Sequence, residues 1–179
     1  GQDSDGMVDV VAALIGELSE EGGEIGAVGV AAAGFIDAAQ ATVLYAPNLS
    51  WRNEPLRTRL EERVGRPVVI ENDANAAGWA EFKFGSAREY GSMMMLTLGT
   101  GVGGAVVADG NLMRGGFGIG GELGHVTVVD GGLRCGCGRL GCVEQYASGT
   151  ALLREANLLA DSSDPLGARL RELRAEAGS

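Results

Sequence analysis

The sequence predicts an α/β protein organised around a mainly parallel sheet, and three observations carry that reading. Segments with apolar residues at helical spacing alternate with short apolar runs, the runs are bounded by glycine or proline, and no low-complexity stretch or internal repeat breaks the alternation. At 179 residues the chain can bury one core of ordinary size or two small lobes.

Residues 8–18 place Val8, Val11, Ala12, Ile15 and Leu18 on one helical face, and Gly22-Gly23 stops that helix. Residues 25–33 form a glycine-bounded apolar run suited to a buried strand. Pro55 opens a second helix through Arg63 with Leu56 and Leu60 inward, and Gly65 ends it. Residues 67–71 read as another buried strand, and residues 74–84 as a helix. Arg88-Glu89-Tyr90-Gly91 marks a lobe boundary, which divides the chain into residues 1–91 and 92–179. Beyond it, residues 93–98 and 104–107 flank a glycine turn as a strand pair, and helical character returns from Val143 and again over residues 164–177.

A net charge of −10 and a pI near 4.5 repel phosphate backbones, so nucleic acid is not an expected partner. The apolar stretches are too short to span a bilayer, and no positively charged N-terminus precedes an apolar run. The expectation is a cytoplasmic protein with no membrane partner, in a reducing compartment that suits metal thiolates.

The three cysteines, Cys135, Cys137 and Cys142, and the single histidine, His125, fall close together near the C-terminal end. Zinc prefers a closed tetrahedron of thiolate and imidazole ligands, and Cys3His is one of its standard structural sets. The alternatives are a disulfide from Cys135 or Cys137 to Cys142, or three unrelated buried thiols; an odd cysteine count and the expectation of no secretory segment argue against the disulfide. With four protein ligands no position is left for water activation, so the metal reads as structural.

Asp73 follows a buried strand and begins a helix, so its carboxylate projects at the carboxyl end of a sheet, where α/β folds place their ligands. Two readings stand: a general base, or a helix N-cap contributing about 1 kcal/mol. Gly99-Thr100-Gly101-Val102-Gly103-Gly104 lets backbone N–H groups approach an anion, or forms a plain tight turn; it lacks the Gly-Lys-Ser/Thr ending of a Walker loop. Glu122 and Glu144, beside the metal ligands, read on residue type alone as solvated surface charges.

A Glu-x-Gly-His at 122–125, a cysteine ten residues after that histidine, and Cys-x-Cys-Gly-x-x-Gly-Cys-x-Glu at 135–144 resemble the signature of the ROK family of sugar kinases and sugar-responsive repressors. Gly29-Val30-Ala31-Ala32-Ala33-Gly34, Glu71-Asn72-Asp73-Ala74-Asn75-Ala76-Ala77 and Leu98-Gly99-Thr100-Gly101-Val102-Gly103-Gly104 match in the right order, so that the resemblance reaches about Glu155. Ala32-Ala33-Gly34-Phe35-Ile36-Asp37 together with Ala46-Pro47-Asn48-Leu49-Ser50-Trp51 is similar to the bacterial glucokinases of the family.

The resemblance implies an actin-like, ribonuclease H-like sugar-kinase fold of two lobes, incomplete at both ends. The family's opening hairpin with Asp-x-Gly-Gly-Thr is not found, and by the same resemblance the part completing an adenosine pocket after Glu155 is expected to be short or missing. It further implies ATP with magnesium as cosubstrate, glucose as the sugar converted to glucose 6-phosphate, and Asp73 as base for the attacking hydroxyl. Sugar contacts would come from Gly34, Asn48, Asn72, Asp73, Glu122, His125 and Glu144, and phosphate contacts from Gly99, Thr100, Gly101, Gly103 and Gly104. Ala105 stands where family members often carry glycine. Another hexose or N-acetylhexosamine kinase, a sugar-responsive repressor and a non-catalytic zinc module remain as alternatives, and the longer parent is expected to be a homo-oligomer, dimer or tetramer.

Overall fold

The computed structural model describes residues 4–23, 25–46, 49 and 51–176. These fall into two units, Gly1–Met95 with Ala105–Gly121 and Leu96–Gly104 with Glu122–Ser179.

In the first unit α1 (Ser4–Gly22) is longer than its apolar pattern predicts. Only its first half is used for packing: Val8 is fully buried and Met7 and Val11 lie against the core, whereas Leu18, expected inward, is exposed together with Val10 and Leu14. β1 (Val28–Ala32) is followed by three strands that the apolar periodicity did not reveal, β2 (Phe35–Ile36), β3 (Val43–Ala46) and β4 (Trp51–Glu54), which pair antiparallel in the order β2-β3-β4. α2 (Leu56–Val64) then buries Leu56 and Leu60, one turn apart on one face. Gly65 ends it in a left-handed conformation, as expected of a glycine one residue past a helix. β5 (Val68–Asn72) runs parallel to β1, with Val28 opposite Val68 and Ala32 opposite Asn72, and leads straight into α3 (Asp73–Phe84).

Ile36, Val43, Leu60, Val68 and Ile70 form the centre of the first core, each contributing on the order of 1.5–3 kcal/mol by leaving water. The expectation that β1 and β5 are buried on both faces is corrected, because Val68 and Ile70 are buried whereas Val69 is half-exposed. The mainly parallel sheet is corrected as well. Among the described residues only β1 and β5, joined through α2, have the long crossover that parallel neighbours need, while short connections join β2 to β3 and β3 to β4 and go with antiparallel pairing.

β6 (Met93–Leu98), β7 (Val102–Ala108) and β8 (Asn111–Leu112) make a third sheet in that order, with the glycine turn between β6 and β7 as expected. Phe82, Ala105, Val107 and Leu112 form a second apolar cluster, with Trp79, Met93 and Met95 against it. In the second unit a 3₁₀ turn (Leu123–His125) precedes a loop held by isolated bridges, Thr127 to Cys142 and Arg134 to Leu140. α4 (Glu144–Ala147), α5 (Gly149–Ala160) and α6 (Pro165–Glu176) follow, and Ser148 caps α5 by accepting the Ala151 N–H. Among the described residues no helix is long and apolar enough to cross a membrane.

Candidate functional site

At the β5–α3 corner Asp73 is not the helix cap. The helix cap is Asn72, whose side-chain oxygen accepts the Asn75 N–H at 3.0 Å from an extended backbone. Asp73 is therefore the first helical residue, exposed, with one oxygen accepting the Ala74 N–H at 3.0 Å. Asn72 also donates its amide to the Gly34 carbonyl at 3.1 Å. Gly34 tolerates no side chain there, since a Cβ would stand 2.7 Å from the Tyr45 carbonyl oxygen. The residues named as sugar contacts in this unit, Gly34, Asn72 and Asp73, thus lie at one corner; Asn48 lies outside the described residues.

Sequence reasoning gave no role to Glu71, Gln40 or Arg114, which surround the same corner. Glu71 accepts hydrogen bonds from Arg114 Nε at 2.6 Å and from Gln40 Nε2 at 3.0 Å. Nearby, Asp37 closes the β2–β3 turn. Burial would push its carboxyl up, but the Ala41 and Thr42 N–H groups that it accepts, with the Arg57 charge, hold it below its ordinary value.

In the second unit the glycine turn is anchored from α4 and α5. The Gly149 N–H donates to the Gly99 carbonyl at 2.7 Å, and the Thr150 hydroxyl to the Thr100 carbonyl at 2.7 Å. Glu144, a named sugar contact, accepts the Val102 N–H at 3.1 Å and lies tightly over Gly101, where any Cβ would overlap its carboxylate. One backbone donor of the turn is therefore taken by a carboxylate, a contact with no signal in the sequence.

His125, Cys135, Cys137 and Cys142 bring their ligand atoms within 4.8 Å of one another. A zinc tetrahedron with ordinary bond lengths separates two sulfurs by about 3.8 Å and sulfur from nitrogen by about 3.5 Å. Here Cys137 Sγ lies 3.7 Å from Cys142 Sγ, and Cys135 Sγ 3.5 Å from His125 Nδ1. Burial, followed by contacts with the two neighbouring sulfurs, pushes the Cys142 thiol up to about 11. For Cys137 burial acts in the same direction, yet the Arg139 N–H, the neighbouring sulfurs and the Arg139 charge bring it below its usual value. Three thiols this close cannot all ionise without a cation, so the donor set fits a metal. His125 turns its other ring nitrogen toward Glu122, 4.0 Å away.

An α/β chain with a carboxylate at the end of a parallel strand pair, a glycine turn between strands and a Cys3His cluster has the actin-like, ribonuclease H-like fold of sugar kinases. The chain belongs to the ROK family, whose sequence pattern it matches over residues 2–175. It is 49% identical over 157 residues to the glucokinase of Streptomyces coelicolor, an alignment covering 88% of this chain and 49% of that one. It superposes with a TM-score of 0.79 and 49% identity on the crystal structure of a ROK family glucokinase from Streptomyces griseus in complex with glucose and AMPPNP, covering 91% of this chain and 52% of that one. The xylose repressor of Bacillus subtilis is 35% identical over 148 residues, 83% of this chain and 38% of that one. The chain spans about half the length of the glucokinases it matches.

Proposed function

We propose that the protein containing this chain is an ATP-dependent glucokinase that converts glucose to glucose 6-phosphate. The observation that carries this reading is Asp73, exposed at the carboxyl end of β5 with the helix cap supplied by its neighbour Asn72. A carboxylate not consumed by capping is available to take the proton of a sugar hydroxyl as that oxygen attacks the γ-phosphate. Similarity to glucokinases, one of them bound to glucose and an ATP analogue, supports the substrate class.

Asn72 retains an N–H and a lone pair for a sugar hydroxyl after capping α3 and bonding Gly34. Gly34, Asn48, Glu122, His125 and Glu144 complete the assigned sugar contacts, and the turn of Gly99, Thr100, Gly101, Gly103 and Gly104 receives phosphates of magnesium-ATP. Zinc held by His125, Cys135, Cys137 and Cys142 supplies rigidity, fixing the ring of His125 and the start of α4. The assignment of residues 1–91 to one lobe and 92–179 to the other, a cytoplasmic location, a homo-oligomeric parent, and the absence of nucleic-acid and membrane partners belong to the same proposal.

Two other readings have support. Hexose or N-acetylhexosamine kinases would share the same hydroxyl-directed side chains, and the similarity to a xylose repressor keeps a sugar-responsive regulator in view. A coupled assay of the protein at the length of its relatives, with glucose, other hexoses and N-acetylhexosamines, decides among them. Glucose turnover that depends on ATP and on Asp73 is expected; sugar binding without turnover supports the regulator and overturns the kinase.

A further inference from the structure

We propose that Glu71, clamped by Arg114 and Gln40, is the positioning group that aims the Asn72-Asp73 corner; the inference rests on the kinase reading of that corner.

The Glu71 side chain is 13% exposed, and a carboxylate so far from water must be paired and hydrogen-bonded. One oxygen accepts Arg114 Nε at 2.6 Å and Gln40 Nε2 at 3.0 Å. The other accepts the Asn72 N–H at 3.0 Å and Asn75 Nδ2 at 3.4 Å. A carboxylate offers about four lone-pair sites, so all of them are engaged and none remains for a substrate. Glu71 therefore acts through its neighbours: it holds the peptide N–H of Asn72 and the side chain of Asn75, on either side of Asp73.

Three segments distant in sequence meet at this carboxylate, and each is held independently of it. Gln40 sits in a left-handed backbone conformation, φ 54°, from which its carbonyl accepts the Ile70 N–H at 3.4 Å. Gln40 Nε2 also reaches the Ile70 carbonyl at 3.4 Å, so this one residue pairs with the edge of β5 as a strand residue would. Arg114 belongs to the glycine loop after β8, where its carbonyl accepts the Gly120 N–H at 2.7 Å. Within that loop Gly118, φ 86°, lies so close to Ile36, Asp37 and Ala38 that any Cβ would overlap the Ile36 carbonyl oxygen. The loop is thus seated on the β2–β3 turn, and both are tied through Glu71 to the corner. Without Arg114 the Glu71 charge would be left uncompensated and would draw in water or shift, carrying the Asn72 peptide with it.

Displacing a catalytic group by about 1 Å can cost up to about 10²-fold in rate. In the protein at the length of its relatives, Arg114→Ala and Glu71→Gln should each lower kcat by about 10-fold or more and raise the sugar KM, with the KM for ATP within about twofold. Arg114→Lys, which keeps the charge without the planar fork, should recover part of the loss. Amide hydrogen exchange should quicken together at residues 72–77 and 113–121 in the Arg114→Ala protein. Folded variants with kcat and sugar KM within about twofold of the parent, or faster exchange confined to the substituted loop, would overturn the proposal. Should Arg114→Ala fail to fold, Gln40→Ala removes one donor and no charge and gives the same two readouts, with a loss of about threefold expected and none overturning the inference. If the unmodified protein proves inactive on every sugar, the kinase reading falls alone, and joint exchange at the two segments still decides whether Glu71 ties them.

Discussion

The first unit is held by apolar packing, whereas the cysteine loop of the second is held by backbone hydrogen bonds around the Cys3His donors. Both hydrophobic clusters found among the described residues lie in the first unit, centred on Ile36, Leu60 and Ile70 and on Phe82 and Val107. The loop of the second unit buries Cys135 and Cys142, while Val126, Val128, Val129, Leu133 and Leu140 face solvent to a large extent. A segment that cannot bury apolar surface needs another source of order, and a bound metal is the usual one. The proposed base, on the first unit, is thereby secured by core and corner, whereas His125 depends on the four-ligand cluster and Glu144 on its bond to the Val102 N–H.

The largest expected effect is in that cluster. Structural zinc sites contribute about 10 kcal/mol or more, so protein purified without chelators should carry one zinc per chain, and Cys135→Ser or Cys142→Ser should abolish stoichiometric binding. Chelation should quicken amide exchange over residues 122–144 and leave residues 56–72 protected. Elemental analysis that finds no zinc, or a Cys135→Ser protein that keeps it, would erase the contrast between the units.

The reciprocal change is Leu60→Ala, at a fully buried position of the first core. It should destabilise the first unit by about 2–5 kcal/mol in denaturant titrations, with zinc content unaltered. Loss of zinc in that variant would show that the two modes of stabilisation are not separable.

Asp73→Ala sharpens the comparison from the side of chemistry. It should lower kcat by about 10²-fold, equivalent to about 2.7 kcal/mol, with little change in sugar affinity or melting temperature, because the side chain is exposed and does not cap α3. Turnover within about threefold of the parent would remove Asp73 as the base.

The smallest effect concerns Asp37. Its folded-state value lies below 3.8, so its contribution is present above the unfolded value and is lost as pH falls through the folded one. Asp37→Asn should flatten the fall in stability below about pH 4 and leave the second unit's zinc content at neutral pH as it was. Identical acid profiles for the two proteins would show that the turn contributes nothing measurable.

How much was legible follows from how local each signal is. The helices at 56–64 and 73–84 are written in apolar spacing and in Pro55 and Gly65, and the metal ligands in their own spacing, because each depends on neighbours within one or two turns. β2 is only two residues long and could not show a period, so the antiparallel β2-β3-β4 set went unseen. Asn72 and Asp73 are both good cap residues, and composition cannot say which of two adjacent ones caps. The Glu71–Arg114 pair joins a strand end to a glycine loop far along the chain, and nothing near either residue marks the other.

The sequence by itself determined the α/β class, the helices that follow Pro55 and Asn72, the Cys3His donor set and the ROK family, since residue type and short-range spacing suffice for these. Tertiary structure alone decided that α1 buries only its first half, that β5 shows Val69 to solvent, that Asn72 takes the cap and leaves Asp73 exposed, and that Glu71 is filled by donors from three segments. Those outcomes depend on which surfaces meet when the chain closes on itself, and hydrogen-bond partners distant in sequence are chosen by that closure, not by local propensity.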